Sequence, residues 1–176
     1  VSEKEEGIQQ LEKIIKRVLE DKARFERELR IRQQQETLKT KSFKALKGQL
    51  PWPADGRIIS KFGRQWNSKL KTTTENPGID IKGKPGSSIR TVLGGVVTTI
   101  TYIRGYGTTI IVDHGGGFYT VYSHVTNIQT NVDSQVRNGD VIAYMGDSGS
   151  INGSKLHFEI WGKGQKLDPE KWLRKK

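Results

Sequence analysis

The feature that most constrains this chain is a change of hydrophobic period near Gly48. Before it, Ile8, Leu11, Ile15, Val18, Phe25 and Leu29 recur at alternating steps of three and four, with Lys22 interrupting the seam and charged residues filling the other faces. That spacing lines one stripe of a helix. No proline precedes Pro51 and only Gly7, near the start, is a local weak point, so one amphipathic helix is predicted over residues 3 to 36. A seam of about three and a half heptads is marginal alone and wants a partner. Two readings follow: a solvated coiled-coil stalk or linker, or a helix that docks on the following domain or on another protomer; an antiparallel partner helix is expected upstream of Val1. The run Lys39 to Lys47, with four lysines, reads as a frayed connector. The organisation is therefore 1–47, helix and connector, then 48–176, a β domain.

From Leu50 onward the period shortens to two. Pro51-Trp52-Pro53 and Asp55-Gly56 punctuate the entry. β-rich runs follow at Arg57 to Phe62, Ile89 to Val92, Val96 to Tyr102, Thr108 to His114, Tyr119 to His124, Val141 to Tyr144 and Leu156 to Ile160. Most of the twenty glycines fall between these runs, Gly115-Gly116-Gly117 marks a hairpin, and one short helix is expected over Pro169 to Leu173. The fold class is mainly β: a compact antiparallel β-sandwich or partly closed barrel preceded by one long amphipathic helix. Arg64 to Pro77 is the longest polar insertion, and a loop of that length in a small domain often lines a binding site.

Composition removes some chemistries. Without cysteine there is no disulfide framework and no thiolate metal site, which leaves His, Asp and Glu as the ordinary ligands for a transition metal. No apolar run approaches the ~20 residues of a membrane span, and a chain opening on Val1-Ser2-Glu3 is expected to be a processed or trimmed piece. A net charge of +11 implies attraction to an anionic surface: nucleic acid, anionic lipid, cell-wall polymer or an acidic protein face. Nucleic acid is set aside for want of a recognition motif. A biotinyl-type carrier shares the glycine-punctuated β pattern, but Met145, the only methionine, is followed by Gly146 and not by a lysine.

Several blocks then occur in order. They are Pro51-Trp52-Pro53, Phe62-Gly63, Asn76-Pro77-Gly78-Ile79-Asp80-Ile81, Gly94-Gly95-Val96-Val97, Gly105-Tyr106-Gly107 and Asp113-His114-Gly115-Gly116-Gly117. After these come Tyr122-Ser123-His124, Val136-Arg137-Asn138-Gly139-Asp140-Val141-Ile142 and Lys155-Leu156-His157-Phe158-Glu159-Ile160. Together they resemble the LytM, or lysostaphin-type, zinc peptidase domain over nearly all of residues 50 to 176. The resemblance implies zinc held by the His and Asp of one block and the second His of a His-x-His block, with two further histidines assisting catalysis. Carried across, Asn76 stands at the first ligand position, Asp80 at the second and His157 at the third. His124 matches one catalytic histidine, and Lys155 stands where the other belongs. His114 matches a recurrent histidine to which no chemistry is assigned.

These replacements argue against a metal. A catalytic zinc takes three protein donors and an open position for water. Asp80 and His157 supply two, and an Asn76 amide oxygen is a poor substitute for imidazole. Period-two geometry puts Lys155, His157 and Glu159 on one strand face, so the ammonium points where the metal would sit. At ~4 Å and an effective dielectric of ~20, a divalent ion and an ammonium repel by roughly 8 kcal/mol. The expectation is that Lys155 pairs with Asp80 in the metal's stead, with no cofactor; zinc belongs only to the alternative reading.

The reading is a pseudoenzyme with no catalytic residues, His124 and Lys155 being relic catalytic positions and Asp80 and His157 residual ligand positions. Asn76, Asp80, Tyr106, Tyr122, His124, Lys155 and His157 are its expected binding residues, with Tyr102 and Arg104 as nearby aromatic and basic groups. A degenerate domain behind a helical segment resembles the murein hydrolase activators of EnvC type. That resemblance implies a cell-envelope protein of cell division whose partner is a cell-wall amidase or other peptidoglycan hydrolase, with peptidoglycan itself a further candidate, and a helix able to cover the groove. The alternatives are a zinc endopeptidase cutting peptidoglycan cross-links through an altered ligand set, and a structural or oligomerising envelope protein.

Overall fold

The computed structural model describes residues 2–33, 43–151 and 153–176. The helix α1 spans Glu3–Gln33; residues 34–36 of the expected helix, and 39–42 of the expected connector, lie outside the described residues. Its start is fixed by a capping box. The Ser2 hydroxyl accepts from the Glu5 amide at 3.1 Å, and the Glu5 carboxylate accepts from the Ser2 amide at 3.4 Å. Glu3, Glu5 and Glu6 in the first turn further oppose the positive end of the helix dipole.

Among the described residues, strands β1 (Arg57–Ser60), β2 (Gly63–Asn67), β3 (Thr72–Asn76), β4 (Ile79–Lys82) and β5 (Ser88–Arg90) open the β domain. Two long strands follow, β6 (Gly95–Ile103) and β7 (Gly107–Gly115), then β8 (Phe118–Ser123), β9 (Val125–Thr126) and β10 (Gln135–Val136). The chain ends with β11 (Val141–Met145), β12 (Lys155–Gly162), β13 (Gln165–Leu167) and the short helix α2 (Pro169–Trp172). The large sheet runs β1-β4-β12-β8-β7-β6-β10 with β13 beside β12; β5-β11-β9 form a second sheet and β2-β3 a separate hairpin. All pairings between these strands are antiparallel; an isolated parallel bridge joins Leu50 to Leu173.

Alternation along β4, β7 and β12 sends Ile79, Ile81, Ile110, Val112, Leu156 and Phe158 to one side of the large sheet. There they meet Ile89, Val125, Ile142 and Met145 of the small sheet, forming the main core of a sandwich. The other side of the large sheet is covered by α1. Leu11 and Ile15, each 1% exposed, pack with Ile103, Tyr106, Ile111, Tyr119, Val121 and Trp161. Of the two readings of the helix, its first half therefore takes the docked one. Gly7 lets it approach, since a Cβ there would sit 2.0 Å from the Arg104 carbonyl oxygen. Lys22, the interruption in the seam, is explained too: its ammonium pairs with Asp113 at 3.1 Å. Phe25, one step further, is 59% exposed.

Two expectations are corrected. The polar stretch after Arg64 is not a loop but the β2–β3 hairpin; it buries neither face, so it lacks the apolar alternation by which strands are recognised. The last part of the connector is not frayed: Phe43–Leu46 form a 3-10 turn, and buried Phe43 stacks on Phe118 at 4.9 Å and meets Trp172 at 5.4 Å.

Candidate functional site

Register brings the motif blocks around Asn76, Asp80, His124 and His157 to one place. Strand β12 lies between β4 and β8, with His157 opposite Asp80 on one side and Ser123 on the other. Because side chains alternate, Leu156, Phe158 and Ile160 enter the core while Lys155, His157, Glu159 and Trp161 face α1. Asp80 joins them from β4, and Asn76 stands at the end of β3.

The polar side chains on this face form a continuous chain. Lys155 Nζ donates to Asp80 Oδ2 at 2.9 Å, and His157 Nδ1 meets Asp80 Oδ1 at 2.6 Å. The other imidazole nitrogen, Nε2, lies 2.7 Å from Glu159 Oε2, and Glu159 Oε1 accepts from Trp161 Nε1 at 2.7 Å. Each ring nitrogen of His157 thus faces a carboxylate oxygen, which uses both N–H groups of an imidazolium. Two cations then alternate with two anions in a region where His157 and Glu159 are fully buried. Burial opposes ionisation of Asp80, but the charges and hydrogen bonds of His157 and Lys155 outweigh it and hold the carboxyl far below the usual range.

Asn76 completes the ring around Asp80 with a donor and not a ligand. Its amide nitrogen donates to Ser60 Oγ at 2.8 Å and points at Asp80 Oδ1 from 3.4 Å, while its oxygen accepts from the Gly78 amide at 3.1 Å. The donor set does not fit a catalytic zinc. Asp80 is surrounded by hydrogen-bond donors, both His157 nitrogens are engaged, Asn76 turns its oxygen away, and an ammonium stands beside the carboxylate. Among the described residues, no three His, Asp or Glu side chains converge as a metal-binding group.

Among the described residues, His124 is a polar group of the site with unspent capacity. It holds a left-handed backbone, φ 63°, its ring is buried, and Nδ1 lies 2.7 Å from the Ser148 carbonyl, so Nδ1 carries the proton and Nε2 the lone pair. Nε2 has no partner among the described residues. Burial pushes the imidazole down to about 3 despite the Ser148 bond, and the cations His157, Lys4 and Lys155 add to the effect. The loop that supplies Ser148 packs closely on β7: a Cβ at Gly107 would lie 1.9 Å from the Ser148 carbonyl oxygen.

These residues line a groove of about 510 Å³. Asp80, Lys155 and His124 form its floor, Gln65, Thr74 and Asn76 of the hairpin one wall, and Gly149 to Ile151 another. Ser2, Glu3 and Lys4, at the start of α1, close one end. Lys4 Nζ sits 3.7 Å above the Tyr106 ring and donates to the Gly105 carbonyl at 3.3 Å. Burial lowers its pKa, while the carboxylates of Asp80 and Glu159 act in the opposite sense. Arg104 pairs with Glu6 at 3.3 Å and anchors the same turn to the helix.

Of the residues expected at the site, Asn76, Asp80, His124, Lys155 and His157 come together. Tyr106 lies beneath the groove, fully buried, edge-on to His157 with ring centroids 5.2 Å apart. Tyr122 does not belong there: its ring points into the main core, where its hydroxyl accepts from the Val92 amide and the Thr120 hydroxyl. Parity explains the correction, since β8 sends Tyr122 and Phe118 to the core and Val121 and Ser123 toward the site. Tyr102 is exposed, on the long β6 strand. Sequence reasoning missed Lys4 and Gly7, whose roles depend on where the helix lands. It also gave no role to Glu159 and Trp161, although both share the Lys155 face.

Residues 74–169, over half of the chain and containing Asn76, Asp80, His124, Lys155 and His157, match Peptidase family M23. The chain is 33% identical over 129 residues to the murein hydrolase activator EnvC of Escherichia coli, covering 73% of this chain and 30% of that protein. It is 35% identical over 123 residues to the murein hydrolase activator NlpD of the same species, covering 69% of this chain and 30% of the relative. The chain thus spans under a third of the length of these curated relatives. Among solved structures, a zinc-containing peptidase from Vibrio cholerae shares the fold, with a TM-score of 0.63 at 22% identity, covering 71% of this chain and 40% of that one. The matched span, the antiparallel architecture and the position of Asp80 and His157 on adjoining strands lead to one conclusion: this chain belongs to Peptidase family M23.

Proposed function

We propose that this chain is a non-catalytic member of its family that binds a peptidoglycan hydrolase, an amidase of the cell wall, and stimulates it in the cell envelope. The observation that carries the reading is the Lys155 ammonium on Asp80 at 2.9 Å, with His157 engaged at both nitrogens. The old metal position is thereby a closed, hydrogen-bonded ion network that keeps the groove's floor rigid without a metal. Relatives named as murein hydrolase activators support the choice of partner. The start of α1 closes one end of the groove, so release of the helix would widen what a partner can reach.

The test is peptidoglycan release by a purified cell-wall amidase with and without this chain. Stimulation is expected, and greater stimulation from a Gly7→Val variant, in which the helix cannot seat against Arg104. No stimulation of any amidase from the same source defeats the reading. Clearing of peptidoglycan by this chain alone, abolished by a chelator, would replace it with the zinc peptidase. One zinc retained per chain after dialysis would overturn the proposed absence of a cofactor.

A further inference from the structure

The β2–β3 hairpin presents a second surface, distinct from the groove. Asn67 Oδ1 accepts from the Lys69 and Leu70 amides at 3.0 and 3.2 Å, fixing the turn that carries Leu70. Trp66 and Leu70 are 65% and 70% exposed, two large apolar side chains within five residues on a projecting tip. Between residues 61 and 75 the chain has four cations, Lys61, Arg64, Lys69 and Lys71, and one carboxylate, Glu75. Arg64 stands directly across the hairpin from Glu75, so their charges offset, and of the three remaining cations Lys69 and Lys71 flank Leu70 while Lys61 lies just before β2.

Tryptophan and leucine exposed at the end of a hairpin, with Lys69 and Lys71 beside them, suit one kind of surface. A bilayer with anionic headgroups deforms around a protrusion, takes the indole at its interface and the leucine just below it, and attracts the cations. A soluble polyanion satisfies the lysines but leaves both apolar groups in water. A protein partner would need a matching concavity for a tip that buries neither of its own faces. We propose that the β2–β3 hairpin docks this chain on an anionic membrane surface through Trp66 and Leu70. The groove stays open in that pose, because Gln65, Thr74 and Asn76 line it from the alternate positions of the same two strands. The inference does not depend on which hydrolase, if any, uses the groove.

The experiment is flotation of the whole chain with phosphatidylcholine vesicles, with and without phosphatidylglycerol, alongside its tryptophan emission. Binding is expected only with the anionic lipid, with a blue shift, since Trp66 is far more exposed than Trp161 and Trp172. The Trp66→Ser, Leu70→Ser double variant should lose more than tenfold in partitioning and all of the shift. Lys69→Gln with Lys71→Asn should weaken partitioning about 25-fold, at about fivefold per cation, the asparagine suiting the positive φ of Lys71. All four positions are exposed, so folding is expected to survive and far-ultraviolet dichroism checks it. Equal binding to both vesicle types overturns the proposal. So does binding that ignores Trp66 and Leu70, shows no shift and is displaced by soluble polyphosphate, which would assign the patch to an anionic polymer.

Discussion

On the core side of the large sheet, His114 and Tyr122 sit in an uncharged network. His114 Nδ1 lies 2.9 Å from the Gly94 carbonyl and Nε2 2.7 Å from Thr120 Oγ1, and Thr120 bonds on to Tyr122. On the helix side, barely more than a strand's thickness away, Asp80, Lys155, His157 and Glu159 form a charged chain. Both networks satisfy buried polar groups, but they fail differently. A neutral network that loses a member leaves a dipole unpaired, costing about 1–3 kcal/mol. A charged one leaves a net charge in a medium that solvates it poorly, which costs more. The same β scaffold therefore carries a tolerant network on its packing side and an intolerant one at the positions where the family resemblance implies a metal. The intolerant side is the one whose members must change together.

The contrast predicts its largest effect at Lys155. Lys155→Met removes one cation from a buried chain of two cations and two anions, and stability should fall by about 3–4 kcal/mol in urea unfolding. A loss below about 1 kcal/mol would mean that the network is hydrated and that the ammonium is dispensable. Joint replacement of Lys155 and Asn76 by histidine should reverse the sign of the site, giving one zinc per chain by elemental analysis after dialysis; an empty double variant would show that more than these two residues separates the site from a metal centre.

Next in size is the helix contact. Leu11→Ala empties a buried position between α1 and the sheet, with an expected cost of about 3 kcal/mol, read as faster amide exchange throughout α1 and around Tyr106. Because the main core does not contain Leu11, exchange in β7 and β12 toward that core should change much less. Uniform acceleration everywhere would show that helix and sandwich unfold as one unit.

Acid sharpens the comparison of the two histidine environments. Burial pushes His114 down to about 4 and His124 to about 3, so both stay neutral in the folded chain. In the unfolded chain they titrate near 6.5, so below that pH the unfolded state binds protons that the folded state refuses, and stability falls as pH falls. The loss should run from about pH 6.5 down to about pH 4 for His114, at up to ~1.4 kcal/mol per pH unit. Asp80, held low by His157 and Lys155, adds a second loss only below about pH 4. Urea midpoints across pH 7 to 3 check this: His114→Gln should reduce the slope between about pH 6.5 and 4, where His124 still contributes, and leave the fall below about pH 4 unchanged.

How much of this was legible in the sequence depends on which physical signal each element carries. Period and parity gave the helix, most strands and the shared face of Lys155, His157 and Glu159, because each rests on side-chain direction relative to its own chain. The pairing of Lys155 with Asp80 needed the family resemblance as well, since the two are 75 residues apart. The β2–β3 hairpin was illegible because it is polar on both faces, and a strand without a buried face has no pattern to read. Tyr122 was misplaced since its neighbours in sequence, Ser123 and His124, do reach the site while its own parity sends it to the core. Lys4 and Gly7 depend on the landing register of α1, which no local pattern encodes.

The smallest predicted effect tests the tolerant network directly. Tyr122→Phe keeps the ring against Phe158, where the centroids are 5.3 Å apart, and deletes only the hydroxyl. The Val92 amide then loses its acceptor at 3.2 Å, and Thr120 loses one partner but keeps His114. Since the neutral groups left behind can rotate or share their remaining bonds, the cost should be about 1 kcal/mol, a third of that at Lys155 or less. Measured in one urea series, the two variants give the ratio on which the comparison stands. Equal losses would place the decisive difference in packing, common to both faces, and not in the charge carried by one of them.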